Sequence, residues 1–237
     1  MNLNNKIAVL TGASSGLGSA IASALVKENT KVYGIGRNEN SLHNLQKDLG
    51  PLFYPVVLDI TNQEKLKDWV SSTFSAENIP DILINNAGSG GFGNIDELPE
   101  SEWLTMINTN LNGMYFITSN LIPLLKKNPT TTHIINIGSI LGNTGRAGGS
   151  AYCTTKYGVR GFSEALFKEL RADYIKVTCV NPGSIDTGFF KSSGINSHEN
   201  MLQPSNLANT IIHVLETPDN MLINELTVRP LDPRKPA

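Results

Sequence analysis

Seven short segments of this chain are apolar nearly end to end, rather than at every second residue. They are Lys6–Leu10, Lys31–Ile35, Phe53–Leu58, Ile82–Ile84, His133–Ile137, Ile175–Val180 and Leu222–Val228. A strand with one face in water alternates, whereas a strand covered on both faces does not. Stretches of helical period separate them, at Gly16–Lys27, Ser41–Leu49, Asn62–Phe74, Pro99–Leu125, Ser150–Leu170 and Ser205–Leu215. This order predicts an α/β protein: a single-domain, doubly wound parallel sheet (Rossmann fold) of about seven strands, with helices on both faces. Thr61 is the expected N-cap of the third helix, with Glu64 completing a capping box. A chain of 237 residues suits one such domain.

Charge and composition exclude several classes. A formal net charge of −2 offers no bulk attraction to nucleic acid or to an anionic membrane. Cys153 and Cys179 form no disulfide framework and read as small buried thiols. His43, His133, His198 and His213 lack metal-ligand spacing, so no metal is expected. No stretch is apolar enough to span a bilayer, and the opening Met1–Lys6 lacks a signal-peptide core. A cytoplasmic protein is expected.

The first apolar run leads into Thr11-Gly-Ala-Ser-Ser-Gly-Leu-Gly18. Gly12, Gly16 and Gly18 permit a tight turn and let an anion approach the backbone, while the following helix points its free N–H groups at that anion. The rival reading is a plain strand-to-helix connection. Its place directly after an N-terminal apolar strand favours a dinucleotide pyrophosphate.

Tyr152 and Lys156 lie four apart in Tyr152-Cys-Thr-Thr-Lys156, hence on one helix face, and Ser139 lies upstream of both. A free phenol, with a pKa near 10, is a poor proton partner at neutral pH. An ammonium at roughly 4 Å in an effective dielectric of about 20 favours the phenolate by up to about 4 kcal/mol. That corresponds to about 3 pKa units and would bring the phenol near neutrality, with burial acting in the opposite sense. An amphipathic helix with a half-buried Tyr beside a solvated Lys is the bland alternative.

Together, Thr11–Gly18, Asn85-Asn86-Ala87-Gly88, Asn110 in Asn-Leu-Asn-Gly113, Ser139 in Gly-Ser-Ile, Tyr152/Lys156 and Asn181-Pro-Gly183 resemble the short-chain dehydrogenase/reductase family in order and spacing. The resemblance spans essentially the whole chain. It implies hydride transfer between a nicotinamide and a small-molecule carbonyl or alcohol. Tyr152 would be the general acid or base, Ser139 would orient the reacting oxygen, Lys156 would hold the ribose, and Asn110 would bend its helix and anchor a relay water. It also places the backbone of Ser14, Ser15, Gly16 and Leu17 at the phosphates, Asp59 and Ile60 at the adenine, and Asn86, Ala87 and Gly88 along the adenosine ribose. Pro182, Gly183, Ile185 and Thr187 would hold the nicotinamide, and Asn85 would tie neighbouring strands.

NAD-selective relatives carry an acidic residue at the end of the second strand. Here that point reads Gly36-Arg37, and Arg37 suits a 2′-phosphate, so NADP(H) is preferred with NAD(H) possible. The alternative leaves Arg37 in solvent and puts Glu39 on the ribose. The segment 188–203 is expected to close the substrate pocket, with Phe189, Phe190 and Met201 either forming a lid or packing on the domain. Asn224–Pro230 departs from the Gly-Gly ending of ketoacyl-carrier-protein reductases and sits nearer the carbonyl and 3-hydroxy-acid reductases. A 3-oxoacyl-thioester reductase remains the enzymatic alternative, and a non-catalytic NADP(H) sensor or scaffold the other. The family's oligomers imply a homodimer or homotetramer through the helices near Trp103–Lys127 and Tyr152–Leu170.

Overall fold

The computed structural model describes residues 1–189, 197–232 and 234. Its chain order is β1 (Ile7–Thr11), α1 (Gly16–Lys27), β2 (Lys31–Gly36), α2 (Glu39–Leu49), β3 (Phe53–Val57), α3 (Gln63–Thr73) and β4 (Ile82–Asn85). It continues through α4 (Glu100–Ile107), a π-helical turn (Asn108–Gly113), α5 (Met114–Leu125), β5 (Thr132–Ile137), α6 (Ser150–Leu170), β6 (Ile175–Pro182), α7 (Pro204–Leu215) and β7 (Glu225–Val228). All neighbouring strands pair in parallel, in the order β3-β2-β1-β4-β5-β6-β7. The fold is the doubly wound Rossmann arrangement. The order reverses between β1 and β4, which opens a crevice at their carboxyl ends.

The continuous apolar runs are explained by two cores, one on each sheet face. Leu10, Ile84 and Ile135 pack with α1 and α7 residues such as Ile21, Leu25, Ile211 and Leu215. Their chain neighbours Val9, Leu83 and Ile134 pack on the other face with Leu66, Ile117, Leu121 and Leu166. Successive residues point to opposite faces, so both must be apolar. Pro55 lies in β3, an edge strand, where a missing N–H is tolerated. Among the described residues, no helix is long and apolar enough to cross a membrane.

Three local expectations are corrected. The cap of α3 is Asn62, whose side chain accepts from Lys65 N at 3.1 Å, not Thr61. Thr61 is engaged already, giving both its N–H and its hydroxyl to Asp59 Oδ1 at 2.9 and 2.8 Å. The last strand begins at Glu225 rather than Leu222, because β6 first offers it a partner at Cys179. The helical run 99–125 is broken by the π-helical turn, into which Asn110 is buried. Asn85, as expected, ties neighbours: its amide donates to Asn136 Oδ1 in β5 at 2.8 Å and to Thr118 Oγ1 in α5 at 3.0 Å. Both cysteines are free and buried.

Candidate active site

The turn after β1 is built by backbone crowding. Gly12 has φ +68°, and a Cβ there would lie 2.8 Å from Ala87 Cα. A Cβ on Gly18 would collide with the Gly12 carbonyl. Asn86 is spent on holding this turn, its amide donating to Thr11 O at 3.0 Å and to Gly12 O at 3.1 Å. Ser15 precedes α1 without capping it by its side chain, so the first-turn N–H groups face outward over the glycines. Bare backbone and an uncapped helix start fit a phosphate group.

Every cofactor contact expected from Gly12 to Thr187 lines one cleft of about 450 Å³, and so do Ser139, Tyr152 and Lys156. Arg37 lines it and Glu39 does not. A Cβ on Gly36 would come within 3.1 Å of Ser14 Oγ, so an acidic side chain at 36 would have to displace Ser14. Thr109, Gly138 and Phe189 also line the cleft. The first two carry no sequence signal of their own. Of the substrate segment, Phe189 lies with its ring centroid 6.2 Å from that of Tyr152. Its far end is strapped back where Leu202 N donates to Ser184 O at 2.9 Å. Phe190 lies outside the described residues.

Asn110 does not line the cleft. Its amide donates to Ser89 O at 2.8 Å and to Thr155 Oγ1 at 3.0 Å, while its carbonyl accepts from Ser89 N at 2.7 Å. Thr155 Oγ1 in turn donates to Tyr152 O at 2.8 Å. With its donors committed, the side chain braces the loop after β4 against α6.

The electrostatics overturn one expectation. Tyr152 and Lys156 do share a helix face, with the ammonium 5.7 Å from the phenol ring centroid. Yet burial raises the Tyr152 pKa above its ordinary value, and the Ser139 hydrogen bond lowers it only in part. The ammonium donates to Ile137 O at 2.9 Å, away from the phenol, and burial lowers its own pKa to about 8. Desolvation is the largest cause of both shifts. The phenol is therefore protonated at neutral pH.

Ser139 is placed by a network that reaches the surface. Its N–H donates to Asn181 Oδ1 at 3.3 Å, and its hydroxyl accepts from Leu141 N at 3.1 Å. Asn181 Nδ2 donates to Glu225 Oε1 at 2.9 Å, and Glu225 is held by Arg160 at 3.0 and 3.2 Å. Arg160 also donates to Asn143 Oδ1 at 2.9 Å, at the far end of the Ser139 turn. Asn181→Ala would strand the buried Ser139 N–H, so stability falls by about 1–3 kcal/mol in a denaturant titration.

The short chain dehydrogenase family model matches residues 6–197 of this chain. This chain belongs to that family. An uncharacterized oxidoreductase of Staphylococcus aureus is 34% identical over 230 residues, covering 97% of this chain and 99% of the relative. The closed form of serine dehydrogenase complexed with NADP+ superimposes with a TM-score of 0.88 at 30% identity, covering 94% of each chain. A 3-ketoacyl-(acyl-carrier-protein) reductase from Brucella melitensis, complexed with NADH, gives 0.87 at 26% identity, covering 96% of this chain and 98% of that one. As a short chain dehydrogenase, the protein is an oxidoreductase of the CH–OH/C=O class.

Proposed function

We propose that this protein interconverts a carbonyl and a secondary alcohol with NADP(H), using Tyr152 as general acid in reduction and general base in oxidation. The observation that carries this reading is the meeting of Ser139, Tyr152 and Lys156 with the Gly12–Gly18 turn in one cleft. A bound nicotinamide dinucleotide supplies the hydride, and its oxidised ring brings a positive charge into the same cleft. Tyr152 gives its proton to the substrate oxygen as charge builds there, and its protonated state at neutral pH suits that role. Ser139 Oγ accepts from Leu141 and is hydrogen-bonded to the phenol, which sets it beside the proton donor to steady the same oxygen. Lys156 keeps a cation in a buried wall, and Asn110 is a positioning residue through Ser89 and Thr155.

Arg37 on the cleft rim and the crowding at Gly36 support NADP(H) over NAD(H). Asp59 Oδ2 stands 3.9 Å from Arg37, but both side chains are largely exposed and the pair is weak. The segment 188–203 is the proposed cover of the substrate, with Phe189 beside the phenol. Exposed Leu104, Tyr115 and Tyr157 on α4, α5 and α6 support assembly of copies through those helices.

A panel of ketones, oxo acids and a 3-oxoacyl thioester, followed by loss of reduced-cofactor absorbance with NADPH and NADH in parallel, tests the reading. Turnover of a carbonyl with NADPH preferred is the expected result. Arg37→Ala should raise KM for NADPH by about 10- to 100-fold while moving that for NADH little, the scale of a lost charge-assisted hydrogen bond. Inactivity across the panel would refute the enzymatic assignment, and equal use of NADH would refute the role of Arg37.

A further inference from the structure

We infer that Arg146, set beside Tyr152 through the Phe92 ring, forms an anion-binding subsite, so that the site takes a short carbonyl substrate bearing a carboxylate. The inference builds on the hydride-transfer reading above and adds the substrate class. Arg146 lies in the connection between Ser139 and α6. Its guanidinium stands 4.3 Å from the centroid of the Phe92 ring. Phe92 in turn meets Tyr152 edge-on, with centroids 5.9 Å apart. The cation is thus one ring removed from the phenol.

The rim is a fixed structure. Gly93 N donates to Gly148 O at 2.8 Å, joining the loop after β4 to the loop before α6. Gly149 N donates to Arg146 O at 3.0 Å, and a Cβ on Gly149 would lie 3.3 Å from the Phe92 ring. Gly149 therefore lets the two loops close on each other, which sets Phe92 and Arg146 relative to Tyr152.

Arg160, further along the same segment, is held by Glu225, whereas among the described residues Arg146 forms no ion pair. Glu102 lies on the same rim, against Gly91, and does not pair with it. Stacking on a ring leaves the edge of a guanidinium, with its fork of donors, open to a planar acid. A carboxylate there would be held in two-point fashion. Phe92 and Phe189 both meet the phenol ring edge-on, so the surroundings of Tyr152 are apolar up to Arg146 on the Phe92 side.

The test compares 3-oxobutanoate and 4-oxopentanoate with their methyl esters, as kcat/KM with NADPH on the full chain. The acid should be favoured over its ester by about 10- to 100-fold, the scale of a hydrogen-bonded charge. Arg146→Met should bring that ratio towards unity, and Arg146→Lys should keep part of it. A wild-type preference for the esters, or a ratio untouched in Arg146→Met, would overturn the subsite. Calorimetric titration of each acid into the NADP+-loaded protein gives a second readout. Binding about tenfold weaker in Arg146→Met supports the subsite even if no compound turns over, a result that would sink the hydride-transfer reading alone. Equal binding by both proteins overturns it. Dependence on Arg146 for a phosphopantetheine thioester, but not for the free acids, would also overturn it by assigning the cation to a carrier phosphate.

Discussion

Tyr152→Phe should lower kcat for carbonyl reduction by about 10²- to 10⁴-fold, the range that a positioned general acid contributes. KM for NADPH should change little, because the glycine turn and Arg37 are untouched. The variant removes one oxygen from a residue 5% exposed, and it leaves the ring packed between Phe92 and Phe189. Loss of fold is therefore not the expected cause of inactivity, and an unchanged melting curve will verify this. The pH profile gives the finer check. Burial keeps the phenol protonated through neutrality, so wild-type reduction should hold level there and fall only in alkali as the acid is lost. Oxidation should rise over the same alkaline range. Retention of more than a tenth of wild-type turnover in Tyr152→Phe would exclude this residue as the proton donor.

Lys156→Met should be both inactive and more stable at neutral pH. Burial lowers the Lys156 pKa from 10.5 to about 8, so holding its charge costs the folded state about 3 kcal/mol below that pH. The sign follows from proton linkage. Between about pH 8 and 10.5 the unfolded chain binds the proton and the folded chain does not, so wild-type stability rises with pH across that window. Methionine removes the cost and fills similar volume, but it strands the Ile137 carbonyl that Lys156 holds at 2.9 Å. That loss returns about 1–3 kcal/mol. A net gain of about 1 kcal/mol would raise Tm by roughly 2–4 °C in a protein of this size. The gain should shrink as pH climbs above 8 and then reverse. A variant less stable than wild type at pH 7, with a deficit that does not widen in alkali, would show that the buried ammonium is not a source of strain. Activity should fall by at least about 100-fold, as expected when a group acting with the acid is lost.

The elements were legible because their signals are local. A strand covered on both faces must be apolar at successive positions, and Val9 and Leu10 show it by entering opposite cores. Gly12 stands where the backbone takes a positive φ, a need that one residue type announces. Boundaries were less legible. Asn62 and Thr61 are both good caps, and Asp59 decides between them by engaging Thr61. β7 starts where β6 offers a partner, which no window of residues 222–228 contains.

What the amino-acid order determined by itself was therefore the layered sheet, the glycine turn at its switch point and the helical spacing that puts Tyr152 and Lys156 on one side. The tertiary structure alone decided the charge state of that pair. Spacing sets how near two groups stand, but desolvation depends on everything packed around them, and here it is the largest cause of both shifts. Distant contacts likewise seat Asn110 against Ser89 and Thr155 and link Ser139 to Glu225. They also set Arg146 over Phe92, one ring from the phenol. Each joins segments far apart in the chain, where no short-range pattern can register the match.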